Sequence, residues 1–170
     1  MVINTVTLLH LCLQDSKDVI LIDSNGRARL ADPGLRTIET NEPADASSFT
    51  LGDSVRWMSP ELFNPEIGLD GGGPTKESDC YALGMVIYEV LSGQVPFDGY
   101  NQLAVVASVM GGKRPQRPQG EGGKLFTDKI WDTLELCWKP QPRDRIRALA
   151  VLLRLAGVPP LLMRFIEVIL

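Results

Sequence analysis

Few side chains in this sequence could do chemistry: a single histidine, His10, three cysteines and scattered carboxylates. Cys12, Cys80 and Cys137 are odd in number and far apart, and no two form a C-x-x-C pair. Neither a disulfide frame nor a zinc site is read from them, so they are expected to be reduced thiols in an intracellular compartment. Asp32 stands before Pro33 and Gly34 and reads by itself as a turn aspartate. Asp79 opens an apolar run, where a carboxylate needs backbone donors or serves as a first-turn helix charge. Asp15 and Asp18 read as solvated loop charges, and His10 as a partly buried hydrogen-bonding residue.

These groups must be positioned by a mainly helical chain. Residues 19–22 and 27–30 flank Asn25-Gly26, whose backbone suits a tight hairpin turn, so a small β-hairpin is expected. Residues 31–53 carry Asp, Pro, Ser, Thr and Gly without periodicity and read as a long irregular loop. A short helical turn at 61–63 leads into a Pro- and Gly-rich connection over 64–74. Residues 79–91 are apolar on nearly every face, which predicts a helix buried all round, capped by Ser78 and ended by Gly93. Three more helices are predicted near 101–110, 128–138 and 146–156, each with an apolar stripe, and a surface loop over 111–124. Residues 161–170 are expected to form a further helix against the body or an exposed apolar end.

The composition excludes several classes. With 170 residues and 44% hydrophobic content the chain can build one real core, which rules out disorder along its whole length. A formal charge of -4 offers no reason to bind nucleic acid or an anionic membrane. No run reaches the roughly 18 apolar residues of a membrane span, because Arg154, Pro159, Pro160, Arg164 and Glu167 interrupt the C-terminal end. The N-terminal residues lack a basic leader and a cleavage site, so a cytoplasmic location is expected.

Four separated motifs then agree in order and spacing. They are Asp32-Pro33-Gly34, the run from Val55 through Ser59-Pro60-Glu61, the run from Ser78-Asp79 to Gly84, and Cys137-Trp138 followed by Pro142 and Arg145. The chain resembles the C-terminal lobe of a protein kinase, nearest in flavour to the tyrosine-kinase-like group, over residues 19–156. The resemblance implies ATP and magnesium as cofactors and a hydroxyl-bearing protein as substrate. It makes Asp32 the aspartate that holds magnesium against the phosphates, although Pro33 stands where the family has an aromatic residue and restricts the backbone of Asp32. It pairs Glu61 with Arg145 as a structural bridge and has Asp79 accept donors from the catalytic loop. It also places Thr37, Thr40, Ser47, Ser48, Thr50 and Ser54 in the activation segment, where a phosphate would need a partner such as Arg36 or Arg56.

The same comparison exposes gaps. No Gly-rich phosphate loop, strand lysine or helix glutamate precedes Val19, so the upper lobe is expected to be missing and residues 1–18 to be an atypical replacement for the catalytic-loop region. Counting forward from His10 puts Cys12 at the position of the catalytic base and Lys17 at that of the metal-binding asparagine. Counting backward from Asp32 puts Gln14 and Val19 there. The expectation is a helical kinase C-lobe fragment without intact catalytic residues, inactive alone, followed by an apolar tail over 157–170. The alternative is a pseudokinase-like scaffold that presents the 64–74 loop and the 101–110 helix to a protein partner.

Overall fold

The computed structural model describes residues 20–22, 28–30, 53–64, 66 and 74–156. The predicted activation-segment residues Thr37, Thr40, Ser47, Ser48 and Thr50, together with Asp32, lie outside them, as do the catalytic-loop region and the tail. Two strands, β1 (Ile20–Ile22) and β2 (Ala28–Leu30), pair antiparallel with Ile20 opposite Leu30 and Ile22 opposite Ala28. The remainder is helical: α1 (Pro60–Phe63), α2 (Lys76–Ser92), α3 (Gln102–Met110), α4 (Asp128–Cys137) and α5 (Ala148–Leu155). Short 3-10 turns add Asp53–Trp57, Gly120–Gly123 and Pro142–Asp144.

The long helix α2 is the centre of the body. Cys80 through Tyr88 are all buried, because no face of this stretch carries a charge and every turn must be covered. It packs against α4, against the 3-10 turn Asp53–Trp57 and against the turn Pro142–Asp144. α4 in turn carries α5, whose Val151 and Leu155 enter the same core. Tyr88, Phe126, Trp131 and Trp138 complete it with tilted and edge-on ring contacts at centroid distances of 5.6 to 6.2 Å, the geometry that the ring quadrupole favours.

Three boundaries differ from the sequence expectation, each for a local reason. α2 begins at Lys76 rather than Asp79, because Thr75 is its cap. The Ser78 amide donates to Thr75 Oγ1 at 3.1 Å and the Thr75 amide to Ser78 Oγ at 2.8 Å, so Ser78 is the third residue of a reciprocal capping pair. α5 begins at Ala148 rather than 146, because Arg145 and Arg147 are extended where the Arg145 side chain turns back into the core. The 111–124 loop is not wholly superficial: Pro115 is buried and Tyr88 Oη donates to the Gln116 carbonyl at 3.4 Å. Gly93, in contrast, ends α2 in the left-handed conformation expected of it, with φ of 69°.

Candidate functional site

The segment from Asp53 to Asn64 runs across the body and is fixed to it at three points. At the first, Arg56 donates to three carbonyls of the loop after α2: Nη1 to Pro96 at 2.9 Å and Phe97 at 2.7 Å, and Nη2 to Tyr100 at 2.7 Å. Both terminal nitrogens of the guanidinium are engaged there. Arg56 therefore ties the 3-10 turn Asp53–Trp57 to the loop after α2. Arg56→Ala is expected to cost about 1 to 2 kcal/mol, since charge-assisted hydrogen bonds are worth more than neutral ones but this site is partly wet. Arg56→Lys should recover little, because an ammonium cannot span three carbonyls in one plane. Urea denaturation of the two variants checks this, and equal stability for wild type and Arg56→Ala would contradict it.

The second point is Trp57, whose Nε1 donates to Glu89 Oε2 at 3.0 Å. Burial raises the Glu89 pKa, and the Trp57 hydrogen bond pulls it partly back.

The third point lies deepest. Arg145 Nη1 donates to Glu61 Oε1 at 2.6 Å and Nη2 to Glu61 Oε2 at 2.7 Å. Glu61 is 1% exposed and Arg145 7%, so this is a bidentate pair removed from water. The guanidinium also donates to the carbonyls of Glu77 at 2.9 Å, Lys139 at 2.9 Å and Pro140 at 3.3 Å, and lies 5.2 Å from the centre of the Tyr81 ring. Arg114 lies at the same distance from that ring. Burial alone would push the Glu61 carboxyl upward, but the hydrogen bonds and charge of Arg145 outweigh it and hold the group below its ordinary value. A carboxylate locked in this way neither gives nor takes a proton near neutrality, so the pair can join segments and cannot do acid–base chemistry.

Asp79 sits one turn into α2. Its Oδ2 is buried and meets no donor among the described residues. Burial and the nearby charge of Glu77 push its carboxyl up to about 8. The folded state thus holds this proton more tightly than the unfolded chain does. The stability it contributes is fully present below about pH 4 and is lost as the pH rises toward about 8. Asp79→Asn is expected to flatten this dependence and to stabilise the protein at neutral pH. Melting curves from pH 4 to 8 provide the check. A variant less stable than wild type at every pH would mean that donors from outside the described residues hold the carboxylate.

Sequence reasoning missed Arg114 and its aromatic contact, which only the fold brings beside Tyr81. Ser54 lies in the 3-10 turn Asp53–Trp57. Cys80 and Cys137 are both free and buried, and burial raises both thiols, Cys80 to about 11, so they are protonated and unreactive. Among the described residues no group of three His, Cys, Asp or Glu side chains could hold a metal ion, and no helix is long and apolar enough to cross a membrane.

Comparison with known proteins gives these features a context. The family model for protein tyrosine and serine/threonine kinases matches residues 8–155. A probable serine/threonine-protein kinase of Dictyostelium discoideum is 32% identical over 127 residues, 74% of this chain and 12% of that protein. Serine/threonine-protein kinase PrkC of Bacillus subtilis is 35% identical over 96 residues, 56% of this chain and 14% of its own length. Inactive tyrosine-protein kinase 7 of Mus musculus is 37% identical over 92 residues, 54% of this chain and 8% of its own. The chain thus spans less than a fifth of the length of these relatives.

Proposed function

Because the chain belongs to the protein tyrosine and serine/threonine kinase family, we propose that residues 19–156 are a kinase C-terminal lobe retained as a folded body without phosphotransfer of its own. One contrast carries this reading. The structural bridge between Ser59-Pro60-Glu61 and Pro142-Arg143-Asp144-Arg145 is made at full strength, while neither register of the catalytic loop supplies a base. Phosphoryl transfer in this family relies on metal ions that neutralise the phosphate oxygens and on an aspartate that orients the attacking hydroxyl. The donor set here does not fit that task. Asp32 is the one carboxylate at a metal position, with Pro33 behind it, and Cys12 or Gln14 stands for the base and Lys17 or Val19 for the second metal ligand. ATP and magnesium belong to the family's reaction.

The direct assay offers labelled ATP and magnesium to the purified chain, with a generic hydroxyl-bearing protein as acceptor. No transfer above background is expected, to acceptor or to the chain itself. Incorporation that disappears in Asp32→Ala would overturn the reading.

A second reading, an interaction scaffold, draws support from α3. This helix carries no charged residue, and Leu103 on it is 71% exposed. The inactive relative described above is in keeping with a kinase fold kept for purposes other than catalysis. A chain that sediments as a monomer and recovers no protein in a pull-down would count against this reading, as would a captured protein that Leu103→Asp leaves bound.

A further inference from the structure

Between α2 and α3 the chain reverses in a tight turn. The Tyr100 amide donates to the Phe97 carbonyl at 3.0 Å, which closes four residues with Asp98 and Gly99 at the centre. Gly99 has φ of 80°, and Phe97, at 56°, is the one described residue other than glycine with a positive φ, so Asp98 and Gly99 make a type II turn. A phenylalanine stays in the left-handed region only where its surroundings impose it. Arg56 imposes it here. Its Nη1 donates to the carbonyls of Pro96 and Phe97 and its Nη2 to that of Tyr100, so both ends of the turn hang on one planar guanidinium. The Phe97 and Tyr100 rings add a tilted contact at a centroid distance of 6.0 Å.

The two central residues carry a chemistry of their own. An aspartate followed by glycine is well suited to attack by the backbone on its side chain, because the missing β-carbon leaves the next amide nitrogen unhindered and free to turn. Asp98 and Gly99 are both exposed, and a β-carbon built on Gly99 would meet nothing within 4 Å. Among the described residues the Gly99 amide has no acceptor that would occupy it. Only the orientation is wrong. Ring closure needs the Gly99 nitrogen beside the Asp98 side chain, whereas the ψ of about +120° at the second residue of a type II turn points that nitrogen away from the β-carbon.

We propose that Asp98-Gly99 is a latent isoaspartate site that Arg56 holds closed. When the turn opens, the Gly99 nitrogen bonds to Asp98 Cγ. The carboxyl, protonated by solvent, gives up its hydroxyl, which leaves with the amide proton as water, and a succinimide remains. Water then adds to one of the two ring carbonyls. Breaking the bond from nitrogen to Cγ restores aspartate. Breaking the bond from nitrogen to the main-chain carbonyl carbon of Asp98 leaves the chain running through the β-carbon, with a free α-carboxylate. One water is lost and one regained, so no oxidant, reductant or cofactor enters. The extra main-chain methylene does not fit the turn, and the carbonyls of Phe97 and Tyr100 are carried off the guanidinium. The segment from Asp53 to Asn64 thereby loses its first anchor, which makes its attachment to the body dependent on the age of the molecule. The proposal holds whether or not the chain transfers phosphate.

Incubation of the full chain at neutral pH in water enriched in heavy oxygen, followed by peptide mapping, tests it. Each ring opening leaves one heavy oxygen at Asp98, and fragmentation separates isoaspartate from aspartate. Wild type should label slowly. Arg56→Ala should label at least about tenfold faster, approaching a free peptide of residues 94–102, because opening the turn no longer breaks three charge-assisted hydrogen bonds. Arg56→Lys, which keeps the charge without the fork, should fall between the two and keeps the test informative if Arg56→Ala does not fold. Gly84→Ala, which loosens the core far from the turn, should label at the wild-type rate. Wild type labelling as fast as the peptide would overturn the proposal, as would both Arg56 variants labelling as slowly as wild type. Gly84→Ala labelling as fast as the Arg56 variants would also overturn it, since global unfolding and not the Arg56 anchor would then govern the site.

Discussion

Glu61→Ala and Arg145→Ala are each expected to remove about 3 to 5 kcal/mol of stability, a large part of the roughly 5 to 15 kcal/mol that holds a domain of this size together. The reason is asymmetric burial. Either truncation leaves the opposite charge in a site that excludes water, and removing Arg145 also strips a donor from the carbonyls of Glu77, Lys139 and Pro140. Arg145→Ala should therefore be the more damaging of the two. The double variant Glu61→Leu/Arg145→Met should regain much of the loss, because it removes both desolvated charges together and fills the volume. Chemical denaturation of wild type, Glu61→Leu, Arg145→Met and the double variant gives the coupling directly, and simple addition of the two single losses would show that the pair does not act as a unit. The pH dependence has a definite sign. A Glu61 carboxyl held below its ordinary value contributes stability that is present above the unfolded pKa and is lost as the pH falls through the folded one. Wild type should weaken on acidification by more than Glu61→Ala does.

Gly84→Ala is expected to destabilise by about 1 to 3 kcal/mol, although the same change in an exposed helix would stabilise by about 1 kcal/mol through helix propensity. A β-carbon at this position would lie 2.7 Å from Trp138 Nε1 and 2.8 Å from Cys137 Cβ. The second contact is with an atom fixed to the α4 backbone, so no side-chain rotation relieves it and the two helices must separate. Because α2 and α4 form the main contact of the core, the cost spreads into the aromatic cluster around Trp138. Thermal melts of Gly84→Ala beside Gly93→Ala separate the causes: the first is penalised by volume, and the second by the positive φ of the α2 cap with open space around it. A Gly84→Ala protein as stable as wild type would mean that α2 and α4 are not in close contact.

Much of this body was legible before the structure, and the exceptions follow a pattern. α2 announced itself because thirteen successive residues, 79–91, leave no polar face, and Gly93 marked its end. The stripes of α3 and α4 were equally readable, since each has a capping side chain, Asn101 or Thr127, at its start. The start of α2 was misplaced because Thr75 and Ser78 are both capable caps and only the backbone shows which is extended. The α5 start was set by Arg145, a tertiary contact that no local period encodes. The Glu61 and Arg145 pairing, 84 positions apart, came from the family resemblance and not from any pattern in the residues themselves. The contacts of Arg56 were hidden for a related reason: its acceptors are main-chain carbonyls some 40 residues on, and carbonyls leave no signature in a sequence. Asp32 and the hydroxyls at Thr37, Thr40, Ser47, Ser48 and Thr50 fall outside the described residues, so their roles rest on the motifs alone.

Thermal unfolding of the whole chain, with and without millimolar ATP and magnesium, bears on both halves of the proposal at once. A ligand present at 100 times its dissociation constant adds about 2.7 kcal/mol, which for a protein of this size shifts the midpoint by about 5 to 10 °C. We expect one cooperative transition, built on α2 and the Glu61–Arg145 pair, with a midpoint unmoved by the nucleotide. A rise of several degrees that is abolished by Asp32→Ala would show that this kinase-family chain still holds nucleotide and metal through Asp32, and the reading that its donor set no longer fits them would fail.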